Sequence, residues 1–345
     1  MRVVQSDAHA SHHPKHFLVN GAVQDSPEVP ERARRLAQAA RDDGHQLMAP
    51  ADHGRGPIAA VHSPEYLQFL EHIVPRWQRI EGASAEVIPN VHPQGRWPAS
   101  YPASAVGQAG YHQADTACPI SEGTWEAAVA SAEIAVTAAQ LVAEGARHAY
   151  ALCRPPGHHA YTDMAGGFCF LNNCAIAAQW LRDHDHARVA ILDVDVHHGN
   201  GTQGIFWTRG DVLTVSVHAD PVRFYPFFWG HAHERGEGDG LGCNLNLPLA
   251  RGTDTQGVLA ALEAGFKRIR AFQPDALVLA LGLDAHEGDP LKGLAVTTDG
   301  FAEIAAAIAG LDLPTVLVQE GGYLQDALGA NLQSFLAGFE RARGS

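Results

Sequence analysis

The stretch ILDVDVHHGNGTQ, residues 191–203, decides how the rest of the chain is interpreted. Its first part belongs to an apolar, β-branched run, Val189 to Val194, which predicts a buried strand. Its second part places Asp193, Asp195 and His197 at alternate positions, so their side chains face the same way in an extended chain. Because a buried carboxylate cluster is costly unless a positive charge compensates it, we expect a divalent cation here.

Similar apolar runs alternate with helical patterns along the chain, which indicates an α/β fold with a mostly parallel sheet covered on both faces. The other predicted strands are Val3-Val4, Ala149 to Cys153, Val212 to Val217, Ala276 to Leu281 and Thr315 to Val318. The predicted helices are Trp125 to Glu144, Asn172 to Asp183, Leu259 to Phe272 and Phe301 to Ala309. Residues 83–123 carry five prolines, so we predict a long loop there, of the length that usually serves as a lid, a binding wall or an oligomer contact.

Polar residues follow four of these strands, where ligands bind in such sheets. Asp284 is the preferred third metal ligand, with Asp289 and His286 as competitors. Two carboxylates and one imidazole with an open position describe a catalytic zinc site, although iron(II) or cobalt would accept the same ligands.

The tandem pair His158-His159, in a Pro- and Gly-framed turn, predicts acid–base work beside the metal. We expect Asp193 to orient one imidazole and Asn200 to be the partner of the other. Tyr323, on a glycine-rich turn, is positioned to donate its hydroxyl to a developing oxyanion.

The amino-acid composition indicates which ligands and which cellular compartment suit this protein. The formal charge of −14 argues against non-specific attraction to nucleic acid or anionic membranes and mildly favours cationic ligands. Five cysteines without a CxxC pair indicate reduced thiols. With no apolar h-region of a signal peptide and no run of 18 apolar residues, the expectation is a cytoplasmic protein.

The motifs RPPGHHA, GGFCFLNN, DVDVHHGNGTQ, GLDAHEGDP and QEGGY occur in this order. Together they resemble the histone deacetylase superfamily over essentially the full length. Within it the chain is most similar to the bacterial acetylpolyamine amidohydrolases, as SDAHASHHP, the proline-rich loop before GQAGY, and ISEGTWEAA suggest. The resemblance implies a three-layer, arginase-like fold, one deacetylase domain over residues 1–345, and a homodimer contacted through the loop at 83–123.

The resemblance also implies roles for individual residues. The zinc ligands would be Asp195, His197 and Asp284, with His159 as general base and acid, His158 as its orienting neighbour and Tyr323 at the oxyanion. The Gly167 carbonyl and the Phe168 and Tyr225 rings would grip the acetylated arm. A structural potassium or sodium ion would use Asp193, Asp195, His197, Ser216 and Val217, and a second one Phe206, Arg209, Val212 and Cys243.

The implied reaction is hydrolysis of an N-acetylated amine, most simply a cationic polyamine, to acetate and free amine. The acids that this branch carries at the tunnel mouth fall on Val106 and Ala117, which leaves Asp115 as the nearby acid able to replace them. An acetyl-lysine deacetylase is the main alternative. An arginase-type dimetal ureohydrolase and a non-catalytic sensor of acetylated amines are further hypotheses.

Overall fold

The computed structural model describes residues 1–95 and 99–344. Its centre is an eight-stranded sheet in the order β4-β1-β5-β10-β9-β6-β7-β8, in which every neighbouring pair is parallel. The strands of this sheet are β1 (Arg2–Val4), β4 (Gln46–Met48), β5 (His148–Ala151), β6 (Val189–Asp193), β7 (Val212–Ala219), β8 (Asn244–Leu249), β9 (Ala276–Leu281) and β10 (Thr315–Gln319). Two further strands, β2 (His16–Val19) and β3 (Ala22–Asp25), form a separate antiparallel hairpin.

Helices cover both faces of the sheet. They are α1 (Glu31–Asp42), α2 (Gly56–Ala59), α3 (Pro64–Trp77), α4 (Ala105–His112), α5 (Thr124–Ala143), α6 (Asn173–Asp183), α7 (Asn200–Phe206), α8 (Thr255–Phe272), α9 (Thr298–Ala309) and α10 (Leu328–Arg343). One buried apolar cluster joins α3, α5 and α6 to one face, and a second joins α1, α8, α9 and α10 to the other. The expected three-layer arrangement with a central parallel sheet is therefore confirmed.

Most predicted elements are present with ends shifted by a few residues, but residues 83–123 are not entirely a loop. Helix α4 lies inside this segment, between Pro102 and Pro119. Ser104 caps its first turn by accepting a hydrogen bond from the Gly107 N–H at 3.1 Å. The prediction from the number of prolines was therefore wrong for this stretch, which contains no proline and begins with a serine N-cap. Residues 96–98 of the predicted loop lie outside the described residues.

Helix α5 is long and apolar enough to cross a bilayer by length and composition. However, 72% of its apolar window is buried inside the fold, as in the core helix of a globular protein. Among the described residues all five cysteines are free thiols, and four of them are buried.

The strand order determines where the chemistry lies. The four strands β5, β10, β9 and β6 are consecutive in the sheet, and each is followed by one of the polar segments singled out in the sequence. Since all four run parallel, their carboxyl ends meet at one edge. The fold therefore gathers segments that are up to 165 residues apart in the chain, from His158 to Tyr323.

Candidate active site

Two neighbouring strands supply a compact cluster of metal-binding groups. Asp195 and His197 follow β6, and Asp284 follows β9. One ligand atom from each lies within 4.8 Å of the other two, and all three residues are buried. The His197 Nδ1 lies 3.1 Å from an Asp195 oxygen and 3.3 Å from Asp284 Oδ2.

The charges and hydrogen bonds of these residues test whether the cluster fits a divalent cation. Among the described residues, the buried Asp284 Oδ2 accepts no hydrogen bond. Burial and the neighbouring Asp195 charge raise the pKa of Asp284. For His197, burial lowers the pKa, but the neighbouring Asp195 and Asp284 carboxylates outweigh it and raise the pKa to about 9. Two carboxylates thus compete for one imidazolium, and a divalent ion with N and O ligands fits the site.

The competing ligands lie elsewhere in the structure. Asp289 accepts hydrogen bonds from the Leu291 and Tyr323 N–H groups, each at 2.9 Å. Burial and the charge of Asp284 raise the pKa of Asp289 to about 7. His286 accepts from the Gly288 N–H at 3.0 Å instead of facing the cluster. Asp289 therefore positions the backbone of Tyr323, and this hydrogen bond was not predicted from the sequence.

The two tandem histidines have different partners and opposite pKa shifts. Burial disfavours the charge on His158, but Asp193, whose Oδ2 lies 2.9 Å from its Nδ1, and then Asp195 outweigh burial and raise its pKa to about 10. Burial lowers the pKa of His159 well below its usual value, and the charges of His158 and His197 lower it further. At neutral pH the pair therefore consists of one imidazolium and one neutral imidazole.

The tautomer of His159 follows from its neighbour. Its Nδ1 lies 2.6 Å from Asn200 Oδ1, while the Asn200 amide nitrogen donates to the Tyr161 hydroxyl at 3.2 Å. An amide oxygen only accepts, so Nδ1 carries the proton and Nε2 is left as a free proton acceptor. This is the form that a general base requires.

The segment after β10 makes hydrogen bonds to several other parts of the site. Glu320 accepts hydrogen bonds from the Gly157 and His158 N–H groups at 2.6 and 3.0 Å. The Gly321 N–H donates to Asp195 Oδ2 at 2.8 Å, and a Cβ at Gly321 would collide with the Asp284 carboxylate. Burial raises the pKa of the Tyr323 hydroxyl well above 10, so it stays protonated as a donor. The role of Glu320 has no signal in the sequence beyond its place at a strand end.

Asp195, His197, the two tandem histidines and Tyr323 line a cavity of about 140 Å³. Its wall includes the expected Gly167, Phe168 and Tyr225, and also residues that the sequence reading missed: Phe17, Val19, Pro156 and Leu291. Phe17 and Val19 come from the β2–β3 hairpin, whose turn at Asn20-Gly21 has positive φ at both residues. This Asn-Gly pair between apolar runs was the available signal for a hairpin.

The residues expected at the cavity mouth do not all lie at the cavity. Ala117 lines the cavity. Val106 instead lies on α4, in a surface depression with Arg76 and Arg79, and is absent from the described lining. Asp115 does not reach the lining either, because its carboxylate lies behind Tyr225 and accepts a hydrogen bond from the Tyr225 hydroxyl at 2.6 Å.

The residues suggested for monovalent ions fall into two groups. Asp193 and Ser216 are register partners on β6 and β7, Asp193 Oδ1 accepts from the Asp195 N–H at 3.0 Å, and Val217 follows on β7. Phe206, Arg209 and Val212 lie around the connection from α7 to β7, where the Arg209 N–H donates to the Phe206 carbonyl at 3.0 Å. Cys243 lies close to this connection, with its Sγ 3.9 Å from the Gly210 carbonyl.

Comparison with known proteins agrees with this geometry. A model of the histone deacetylase domain matches residues 26–339. The chain is 49% identical to an acetylpolyamine amidohydrolase of Burkholderia pseudomallei over 96% of this chain and 97% of that one. It is 45% identical to acetylpolyamine amidohydrolase 1 of Pseudomonas aeruginosa, over 99% of both. A crystal structure of acetylpolyamine aminohydrolase from B. pseudomallei superimposes with a TM-score of 0.95 at 47% identity, covering 99% of both chains.

Proposed function

This chain belongs to the histone deacetylase family, and we propose that it is a zinc-dependent amidohydrolase that removes acetyl groups from N-acetylated polyamines. The substrate class follows its full-length relatives, which are named acetylpolyamine amidohydrolases at 42–49% identity. The products would be acetate and the free amine.

One observation carries the proposal. Asp195 and His197 line the same cavity as His159 and Tyr323, and Asp284 has a ligand atom within 4.8 Å of theirs. A cation site, a neutral imidazole and a protonated phenol therefore face one small volume. This is the set that hydrolysis of an unactivated amide requires.

The proposed division of labour follows from the protonation states. A zinc ion held by Asp195, His197 and Asp284 would supply Lewis acidity toward the acetyl carbonyl and the attacking water. His159 Nε2 takes the proton from that water and later gives it to the departing amine. His158 lies beside His159 and is oriented by Asp193, whose Oδ2 is 2.9 Å from its Nδ1.

Tyr323 completes the arrangement. Its hydroxyl donates to the oxyanion that forms when water adds to the acetyl carbonyl. The backbone of Tyr323 is fixed by Asp289, and Arg32 lies 4.7 Å from the centre of its ring. The Gly167 carbonyl and the Phe168 and Tyr225 rings, from residues that line the cavity, hold the acetylated arm.

We extend the proposal to the setting of the enzyme. Residues 1–345 work as one catalytic domain, and the segment at 83–123 forms a homodimer contact. The protein is cytoplasmic. Monovalent ions bind at the two groups of residues behind and beside the metal cluster, where they neutralise buried oxygen atoms.

The test is a turnover screen with the purified, zinc-loaded protein. N-acetylputrescine, N-acetylcadaverine, acetylspermidine and an acetyl-lysine peptide are compared by kcat/KM. We expect the acetylated polyamines to be preferred, and exhaustive chelation to abolish turnover until zinc is added back. His159→Ala should remove activity, while His72→Ala, at a side chain 57% exposed, should not. Activity that survives both chelation and His159→Ala would refute the mechanism, and a preference for the peptide would refute the substrate class.

A further inference from the structure

In the described part of the chain, His197 lacks the hydrogen bond that usually orients a histidine bound to a metal. Its Nδ1 lies 3.1 Å from an Asp195 oxygen and 3.3 Å from Asp284 Oδ2, so Nδ1 is the nitrogen that faces the proposed metal. In most metal sites the other ring nitrogen is hydrogen-bonded to a carboxylate, a carbonyl or water, which fixes the orientation of the ring. Among the described residues no group forms such a bond with Nε2 of His197. The plane of this imidazole therefore has to be fixed in another way.

A phenylalanine ring covers one face of the imidazole. The ring centroids of Phe224 and His197 are 4.9 Å apart and the ring planes are inclined by 8°, which is a parallel stack. The rings of His159 and Tyr225 also lie near His197, with centroids at 5.9 and 6.1 Å, but they are inclined to it by 72° and 74°. These two rings make edge contacts, whereas Phe224 lies flat against the imidazole. A rotation that moved Nδ1 away from the carboxylates would push the imidazole into the Phe224 ring.

Two other segments of the chain hold the Phe224 ring. The guanidinium carbon of Arg251, which follows β8, lies 5.3 Å from the centre of the ring. Arg251 Nη2 donates to the Lys292 carbonyl at 2.9 Å. A Cβ at Gly293 would lie 3.0 Å from Phe224 Cζ and would collide with the Val196 side chain, so the glycine lets this backbone lie close to the ring. Phe224 is only 8% exposed.

We propose that Phe224 and Arg251 are positioning residues for the metal ligand His197 and that they raise the affinity of the site for zinc. This inference rests on the zinc site of the proposed function and deepens it. The contacts run from the backbone of Lys292 through the guanidinium and the phenyl ring to the imidazole. An imidazole that is already held in one orientation loses less freedom when the metal binds, so zinc binds more tightly and leaves more slowly.

The test measures the zinc affinity of the full-length, metal-free protein by competition with a chromophoric chelator. Phe224→Leu keeps an apolar side chain but removes the flat face. It should raise the zinc Kd by about tenfold, the lower end of the effect of losing a group that orients a metal ligand. Arg251→Gln removes the guanidinium and should raise the Kd by about threefold, the size of an exposed cation–π contact. Because Arg251 is exposed, this variant decides the question if Phe224→Leu does not fold.

Matched controls separate positioning from a general loss of stability. Phe272→Leu makes the same change at another buried ring, which is 6% exposed and has the Arg188 guanidinium carbon 5.5 Å from its centre. Arg270→Gln removes an exposed guanidinium whose carbon lies 5.9 Å from the centre of the Phe266 ring. Both controls are on helix α8 and should leave the zinc Kd unchanged, even where they lower Tm of the metal-free protein.

Two further readouts distinguish an effect on the metal from an effect on the substrate. Cobalt(II) accepts the same ligands as zinc, and its visible absorption reports how they are arranged. Phe224→Leu should change the absorption of the bound cobalt, whereas Phe272→Leu should give the wild-type spectrum. With zinc in excess, KM for N-acetylputrescine should stay at the wild-type value in Phe224→Leu and Arg251→Gln, since neither residue is among the described lining of the cavity.

The possible results separate this inference from the proposed function. An unchanged zinc Kd in Phe224→Leu overturns the positioning role while leaving the deacetylase intact, and an unchanged Kd in Arg251→Gln removes Arg251 from it. An equal rise in Phe272→Leu overturns the inference as well, because the effect would then be general. A raised KM at saturating zinc contradicts it too. Wild-type protein that does not bind zinc, or binds it equally well after His197→Ala, overturns the proposed metal site itself.

Discussion

Replacing Glu28 by Gln is expected to destabilise the protein strongly, because Glu28 is the single buried anion between two buried guanidinium groups. Its carboxylate accepts two hydrogen bonds from Arg154, both at 2.8 Å, and one from Arg32 at 2.6 Å. All three side chains are at most 2% exposed. Arg154 begins the turn that carries the tandem histidines, and Arg32 also donates to the carbonyls of Glu320 and Gly322.

The magnitude follows from two independent arguments. Burial opposes the charge of Glu28, but Arg154 and Arg32 outweigh it and lower its pKa from 4.5 to about 2. At about 1.4 kcal/mol for each tenfold change in proton affinity, this lowering corresponds to about 3 kcal/mol. Removing one partner of a buried ion pair costs about 3–5 kcal/mol. For 345 residues the unfolding entropy is about 0.7 kcal/mol/K, so Tm should fall by about 4–7 °C.

Calorimetry of the wild type and of Glu28→Gln over a range of pH provides the assay. Because the folded-state pKa is below the unfolded one, the stabilisation is complete above pH 4.5 and is lost toward pH 2. The Tm difference should thus be constant near neutrality and shrink below about pH 4.5. Glu71→Gln is the control, since Glu71 makes the same bidentate contact to Arg55 at the surface. It should shift Tm by less than about 1 °C. An equally small shift for Glu28→Gln would refute the reasoning.

Three further predictions concern the active site. Tyr323→Phe should lower kcat by about 10²- to 10³-fold with little change in zinc content, as loss of one oxyanion donor does; an unchanged kcat would exclude that role. Asn200→Ala should lower kcat at least about tenfold while KM stays constant, because His159 loses the acceptor that fixes its tautomer. A change confined to KM would contradict this. Zinc removal should lower Tm, since Asp195 and Asp284 then lie together uncompensated, and zinc at about 1,000 times its Kd should restore about 4 kcal/mol of stability. A Tm that ignores zinc would argue against this cluster as its site.

The sequence predicted an element correctly where its hydrophobic pattern matches the burial of its side chains in the fold. Fully apolar strands such as β9 and β10 were predicted almost to the residue, because a strand buried on both faces reads as a continuous hydrophobic run. Strand β8 was missed because polar Asn244 and Asn246 alternate with leucines. In the structure both amides donate to Gln203 Oε1 inside the fold, so they are buried polar groups that look like surface positions.

The candidate site shows the same limit. The groups at its base follow strand ends, so their convergence could be predicted from the order of the elements. The wall depends on contacts between distant segments, such as Phe17 against Phe168, which no local pattern specifies. The Asn20-Gly21 pair predicts a hairpin, but it does not predict which residues the hairpin packs against. The position of Asp115 behind Tyr225 likewise needs the three-dimensional structure.

The segment Glu320 to Tyr323 and the β2–β3 hairpin differ in how freely evolution or a designer can change them. Each of the four residues of the segment is held by a different part of the protein: the histidine turn, Asp195, Arg32 and Asp289. The hairpin is joined to its surroundings near the cavity by the exchange of two hydrogen bonds between Leu18 and Thr116. A substitution in the segment disturbs several of the proposed catalytic groups together, whereas one at Phe17 or Val19 changes only the wall of the cavity. Libraries for new acetylated amines should therefore diversify the hairpin and keep the segment constant.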